Sequence, residues 1–247
     1  MKRKDLFLSS FVLICLWYLA AILLDKPILP RPDSVLVALF VELQKELPLH
    51  FLASLWRVTA STILAVGLAA PLGLALGQSQ VVDKLAAPFI YILYPIPKVI
   101  FVPIILLLLG VGNLAKIFII FIILFFQILV LVRDQASNLR PELLLSVKSL
   151  GAGRRALLRY VYLPASLPAI LTALRQSVGT AVAVLYIVEL FATQWGLGYY
   201  IQLNGSTLYN YPAMYAGVVA MSVLGYGLYY VVDWLERRLC AWKFVQG

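Results

Sequence analysis

Few residues in this chain have types and spacing that could do chemistry. The stretch "GAGRRA", Gly151 to Ala156, carries the glycine spacing of a dinucleotide-binding turn. Such a turn needs a strand before it and an acidic residue about 20 positions further on, and the sequence offers neither. No G-x-x-x-x-G-K-[ST] loop is present to cradle the phosphates of ATP, and no paired carboxylates or nucleophile–base set share one depth. His50, Cys15 and Cys240 lack metal-ligand spacing. The chain is therefore not expected to be an enzyme or to hold a metal or cofactor of its own. What remains is a set of polar side chains inside apolar stretches: Lys98, Asn113, Gln127, Arg175 and Glu189. A charge at the centre of a membrane helix costs about 2.5–3.5 kcal/mol on insertion scales, so such groups tend to face a polar interior. The chemistry they suit is the passage of a polar solute. Each charged member also has a second reading: Lys98 as a lysine near a helix end that reaches for the surface, Arg175 as a structural residue near an inner gate, and Glu189 as a polar link between helices.

These residues need apolar helices to hold them. Of 247 residues, 63% are hydrophobic and 13% charged, with a mean hydropathy of +0.95. Soluble domains carry about 25% charged residues, so a membrane protein is expected. Windows of the roughly 20 residues needed to cross a bilayer occur at Leu6–Leu24, Leu55–Leu76, Pro88–Leu109, Leu114–Val132, Leu167–Ala192 and Ala213–Leu235. No alternating segments of about 10 residues suggest a barrel. The expected fold class is all-α, a polytopic protein with six transmembrane helices. The first window is longer than a signal-peptide core and has no small-residue cleavage site, so it is expected to persist as a helix.

Residues 1–54 then supply a transmembrane helix and an outer interfacial helix, and residues 55–247 a five-helix core. The interfacial helix is expected in "PDSVLVALFVELQKEL", capped by Asp33 or Ser34, with His50 a surface or interfacial histidine just after it. The third window contains Pro88, Pro95, Pro97 and Pro103. Internal prolines break helices, and a membrane tolerates this only where protein or a water-lined cavity satisfies the freed carbonyls, so this helix is expected to line something. Arg175 and Glu189 share a face of the fifth window but stand about 21 Å apart along its axis, too far to pair. The loop "ATQWGLGYYIQLNGSTLYNYP" has no charge but many aromatics and amides, as an outer gate or an aromatic belt would.

With the N-terminus inside, thirteen of the 20 Lys and Arg residues gather on the cytoplasmic side, which places both termini there by the positive-inside rule. The net charge of +9 then reflects topology and lipid headgroups rather than nucleic acid. Much of that charge lies in "RPELLLSVKSLGAGRRALLRYVYLP". Pro141 and Glu142 start a helix, Leu144, Val147 and Leu150 give it an apolar stripe, and Gly151 ends it, with φ > 0 expected there. A second short helix from Arg154 to Val161 puts Leu157, Leu158 and Val161 on one face and Arg155 and Arg159 on another. Pro164 and Pro168 are expected to stop it and launch the next span. The result is a helix–turn–helix elbow over about 134–165, with an apolar ridge too short to be buried alone.

Counting from Gly151, Val161 is ten residues on, Leu163 twelve and Pro164 thirteen. This spacing resembles the G-x9-[IV]-x-L-P half of the "EAA" loop in permease subunits of bacterial ABC importers. The stretches "SLWRVTASTILAVGLAAPLGLALG", "YPIPKVIFVPIILLLLGVGNLAKI" and "LERRLCAW" are similar to the nitrate, sulfonate, taurine and bicarbonate branch of that family. Leu145, Ser146 and Val147 stand where that loop has Glu-Ala-Ala, leaving Glu142 as the acidic residue one turn earlier. The resemblance implies a type I importer fold in the bacterial inner membrane, working as a homodimer with two ATPase subunits and an external substrate-binding protein. ATP and Mg would be bound by the ATPase partner. It further implies that Glu142, Leu145, Ser146, Val147, Leu150, Gly151, Arg154, Leu157, Val161, Leu163 and Pro164 form the loop that docks on the ATPase. The substrate would be a small anion or a heterocyclic vitamin precursor. The alternative, an ATP-independent secondary transporter or channel, would need inverted repeats and its own mid-membrane ion site, and it would leave the elbow without a task.

Overall fold

The computed structural model describes residues 3–139, 141–191 and 193–244, and every regular element among them is helical. In chain order these are α1 (Arg3–Leu24), α2 (Pro32–Glu42), α3 (Leu47–Gln78), α4 (Gln80–Leu93), α5 (Val102–Leu109), α6 (Asn113–Ser137), α7 (Pro141–Ser149), α8 (Arg154–Leu157), α9 (Leu163–Glu189), α10 (Leu197–Gln202) and α11 (Tyr211–Leu239). Four uninterrupted segments are long and apolar enough to cross a membrane: Leu47–Gln78, Asn113–Ser137, Arg155–Glu189 and Tyr211–Leu239. A fifth crossing is available if Gln80–Leu93 and Lys98–Leu109, bent by 74° at a short break, count as one. The apolar part of α1, Leu8–Leu24, is a shorter helix.

The third expected span is thus broken into two half-helices, as its internal prolines lead one to expect. Pro95 and Pro97 sit in the break, Pro103 opens α5, and only Pro88 lies inside a helix. A difference concerns Pro164 and Pro168, which do not stop the chain: helix continues from Arg155 to Glu189. A proline lacks the N–H and its ring presses on the carbonyl four residues back. Here a π turn over Leu158–Tyr162, in which the Leu163 N–H reaches Leu158 O, widens the helix just ahead of Pro164. A second concerns α2. Its N-cap is Arg31, with no side-chain cap, because Pro32 takes the first helical position, where its missing N–H costs nothing. Ser34 Oγ bonds back to Arg31 O at 2.7 Å instead.

The chain forms two compact units. One comprises Met1–Leu55 and Glu189–Leu224. In it Val35, Leu47, Leu197, Ala213 and Ala216 are buried, and Trp17 stacks on Tyr215 with ring centroids 5.7 Å apart. Gly217 lets α11 press on α10, since a Cβ there would come within 2.8 Å of the Tyr200 ring and 2.9 Å of Ile201. The other unit comprises Trp56–Val188 and Gly225–Gly247. Its centre is α6, whose Ile119, Ile120, Leu124, Ile128 and Val132 are all fully buried. α3 reaches α6 through Gly73 and Gly77: a Cβ on Gly73 would stand 2.9 Å from Leu129 O, and one on Gly77 2.8 Å from Arg133 O. Small residues that let helix backbones approach are a common basis of packing in lipid, where no hydrophobic force drives helices together.

Candidate functional site

In the second unit the elbow is present as the short helix α7 joined through Gly151 to the start of the long Arg155–Glu189 helix, rather than as two short helices. α7 ends at Ser149, and the Gly151 N–H then closes a turn on Lys148 O at 2.9 Å. Gly151 has φ 79°, in the left-handed region that L side chains avoid, while the space around it is open. Leu157 and Val161 are buried at 7% and 6%, and Leu144 and Val147 are half-buried, so this part of the apolar ridge is spent within the elbow. Leu145 and Leu163 remain exposed, as does Pro164, and Leu150, at the tip, is 85% exposed. Glu142 and Ser146 face solvent, with Ser146 Oγ bonded to Glu142 O at 2.7 Å. The Arg154 side chain lies outside the described residues, as does Ala192.

Each charged residue expected along a path has protein partners. Lys98 Nζ donates to the carbonyls of Leu93 and Tyr94 at 2.8 and 2.7 Å. Asn113 Oδ1 accepts from Arg57 Nε at 2.8 Å. Arg175 Nη1 lies 3.2 Å from Asp233 Oδ1 and 3.0 Å from Glu236 Oε2, joining α9 to α11. Gln127 is half-buried on α6. Between α6 and α9 runs an open groove of about 380 Å3, where Gln135, Thr172 and Gln176 bring polar groups among Leu131, Ala169 and Ala173. Its volume lies in the range of small-molecule sites.

Glu189, in the first unit, is fully buried at the end of α9. Ser54 Oγ lies 2.9 and 2.8 Å from its two oxygens, and the Gly198 N–H donates to Oε2 at 2.9 Å. The Leu197 N–H donates to Ser54 Oγ at 2.8 Å. Ser54 and Glu189 thereby satisfy the first two N–H groups of α10, which would otherwise be orphaned in a buried setting. His50 differs from expectation: it is 2% exposed, accepts from the Gly196 N–H at 3.0 Å, and its ring centroid lies 5.1 Å from that of Trp195 and 5.2 Å from that of Tyr200. Burial, and the hydrogen bond its hydroxyl donates to Glu42 at 2.9 Å, hold the Tyr200 phenol above its ordinary pKa. Part of the aromatic loop is therefore fastened to α2 and the start of α3.

A family model described as "Binding-protein-dependent transport system inner membrane component" matches residues 61–240. The chain belongs to that family. The taurine transport system permease protein TauC of Escherichia coli (strain K12) is 30% identical over 94% of this chain and 86% of its own length. The putative aliphatic sulfonates transport permease protein SsuC of Bacillus subtilis (strain 168) is 27% identical over 97% of this chain and 87% of its own length. An inward-facing structure of the MetNI methionine ABC transporter aligns with a TM-score of 0.65 at 19% identity, covering 77% of this chain and 94% of that one, which shows a shared fold. The chain is accordingly a permease subunit of an ABC importer: a multi-pass inner-membrane transport component, not an enzyme, that works with an ATPase and a substrate-binding protein.

Several residues that build this permease escaped the sequence reading. Ser54 and His50 carry no periodic signal of their own, and their partners stand 135 and 146 residues away. Asp233 and Glu236 do carry a signal, because two carboxylates near the end of a membrane helix need cations: Arg237, one turn on, meets Asp233 at 2.9 Å, and Arg175 of α9 meets both.

Proposed function

We propose that the permease acts as a pair of identical copies, each offering the elbow to a separate ATPase subunit, which binds the ATP and Mg, and that its cargo is a small anion of the sulfonate type. The observation that carries this reading is Leu150: a large apolar side chain, 85% exposed, on a tip set by a glycine at φ 79°. An apolar knob on a rigid elbow suits the groove of a partner, as amphipathic helices do in helix-in-groove recognition. Glu142 and Ser146 stand beside it as the polar contacts, in place of the Glu-Ala-Ala that Leu145, Ser146 and Val147 replace. Arg154, Leu157, Val161, Leu163 and Pro164 hold the second arm. The cargo class draws support from the taurine and sulfonate relatives. In this reading the α6–α9 groove belongs to the path, with Gln127 and Arg175 on the same two helices, while Lys98 and Asn113 support that unit and Glu189 serves within its own. The test is a cysteine at Leu150 carrying a short crosslinker. It should join permease to ATPase in membranes holding the whole importer, and the absence of that product would contradict the docking role.

A further inference from the structure

In an α-helix the N–H of each residue bonds the carbonyl four residues earlier. The partner of Leu93 O would therefore be the N–H of residue 97, and that residue is a proline with none. The partner of Tyr94 O would be the N–H of Lys98, where the chain has already left the helix for a 3-10 turn over Lys98–Phe101. Pro95 frees Tyr91 O in the same way; the two carbonyls of Leu93 and Tyr94 lie within an apolar segment whose side chains at these positions are exposed. Lipid offers no donor to either. The side chain of Lys98 meets both, with Nζ at 2.8 Å from Leu93 O and 2.7 Å from Tyr94 O. The same ammonium sits 4.7 Å from the centroid of Phe126, which ties the break to α6. A related device follows where α5 gives out at Gly110: Lys116 Nζ donates to Val111 O at 2.6 Å.

We propose that Lys98 is the positioning residue of this break: its ammonium replaces the backbone donor that Pro97 lacks and holds Gln80–Leu93 and Lys98–Leu109 at their 74° angle against α6. The inference goes beyond the importer reading and does not require Lys98 to touch the cargo. Methionine matches lysine in length but has no donor, so Lys98→Met frees both carbonyls. Arginine keeps several donors on a long stem, so Lys98→Arg preserves the cap.

The experiment places spin labels at Tyr91→Cys and Leu107→Cys, both more than four-fifths exposed on either side of the break, in the assembled importer with Cys15 and Cys240 replaced by Ala. Singly labelled controls remove distances between copies. The unsubstituted break should give a narrow distance distribution. Lys98→Met should broaden it and reduce the bent population about tenfold, the scale of a carbonyl left without a donor away from water, and Lys98→Arg should restore the narrow form. Should Lys98→Met fail to accumulate, Pro97→Ala together with Lys98→Met returns an N–H to Leu93 O and should recover accumulation. A narrow, unshifted distribution in Lys98→Met overturns the proposal. So does a double variant that accumulates no better than a poorly accumulating Lys98→Met. If the distances stay unchanged while ATP hydrolysis by the importer loses its stimulation, Lys98 serves the transported molecule instead, and the importer reading survives without this inference.

Discussion

Ser54 stands between Glu189 and Leu197: its hydroxyl oxygen is 2.9 and 2.8 Å from the two carboxylate oxygens and 2.8 Å from the Leu197 nitrogen. All three groups are buried, so removing the hydroxyl leaves both a carboxylate oxygen and a backbone N–H short of a partner. Ser54→Ala should cost about 1–3 kcal/mol, read as a lower melting temperature of the detergent-solubilised protein. Ser54→Thr, which keeps the hydroxyl, should cost less, and equal losses for the two would show that the hydroxyl is not what matters.

Arg175 bridges α9 to Asp233 and Glu236 on α11, and the Glu236 side chain is only 1% exposed. Arg175→Met removes the cation that stands 3.0 Å from that carboxylate. Breaking a buried pair costs about 3–5 kcal/mol, less here because Arg175 itself is a quarter exposed. The double substitution Arg175→Met with Glu236→Met removes both charges and should recover most of the stability. Thermal unfolding of the two variants side by side checks this, and a double variant as unstable as the single one would count against the pairing.

Gly77 lies against the backbone of α6, where an added Cβ would stand 2.8 Å from Arg133 O and would also overlap Ala136 Cβ. Gly77→Val should push α3 off α6 at a cost of about 1–3 kcal/mol. Gly67 has nothing within 4 Å of an added Cβ, so Gly67→Ala should be tolerated. Comparing the amounts of folded protein recovered from membranes distinguishes the two.

Much of this was legible beforehand. The composition and the apolar windows point to a helical membrane protein, because lipid allows a helix no unsatisfied backbone and forces long apolar runs. The φ 79° at Gly151 follows from a glycine placed just after a short helix. Other features were hidden because tertiary structure decided them. Pro164 reads as a stop until a π turn upstream makes room for it. His50 reads as a surface histidine because its burial depends on Trp195, Gly196 and Tyr200, far along the chain. The prolines of the window from Pro88 to Leu109 announced a break but not its 74° angle, since neither hydropathy nor a missing N–H records direction.

From the Lys and Arg distribution we propose that the elbow lies inside the cell and the Tyr209 loop outside. A cysteine at Gly153 should react with a membrane-impermeant maleimide only from the cytoplasmic face, and one at Tyr209 only from the outer face. Reaction of both from the same side would overturn this orientation.

The central claim is that the elbow couples the permease to an ATPase, and the most direct measurement is how much ATPase stays with it through detergent purification. Leu150→Glu puts a charge on the knob that must enter the partner's groove, and burying it unpaired costs several kcal/mol, of order 100-fold or more in affinity. Gly151→Val forces a β-branched residue into φ 79°, which distorts the tip without touching any span. Both variants should reach the membrane in normal amount and lose the ATPase, whereas Leu150→Met should keep it. Variants that retain a full complement of ATPase together with normal uptake would contradict the coupling role.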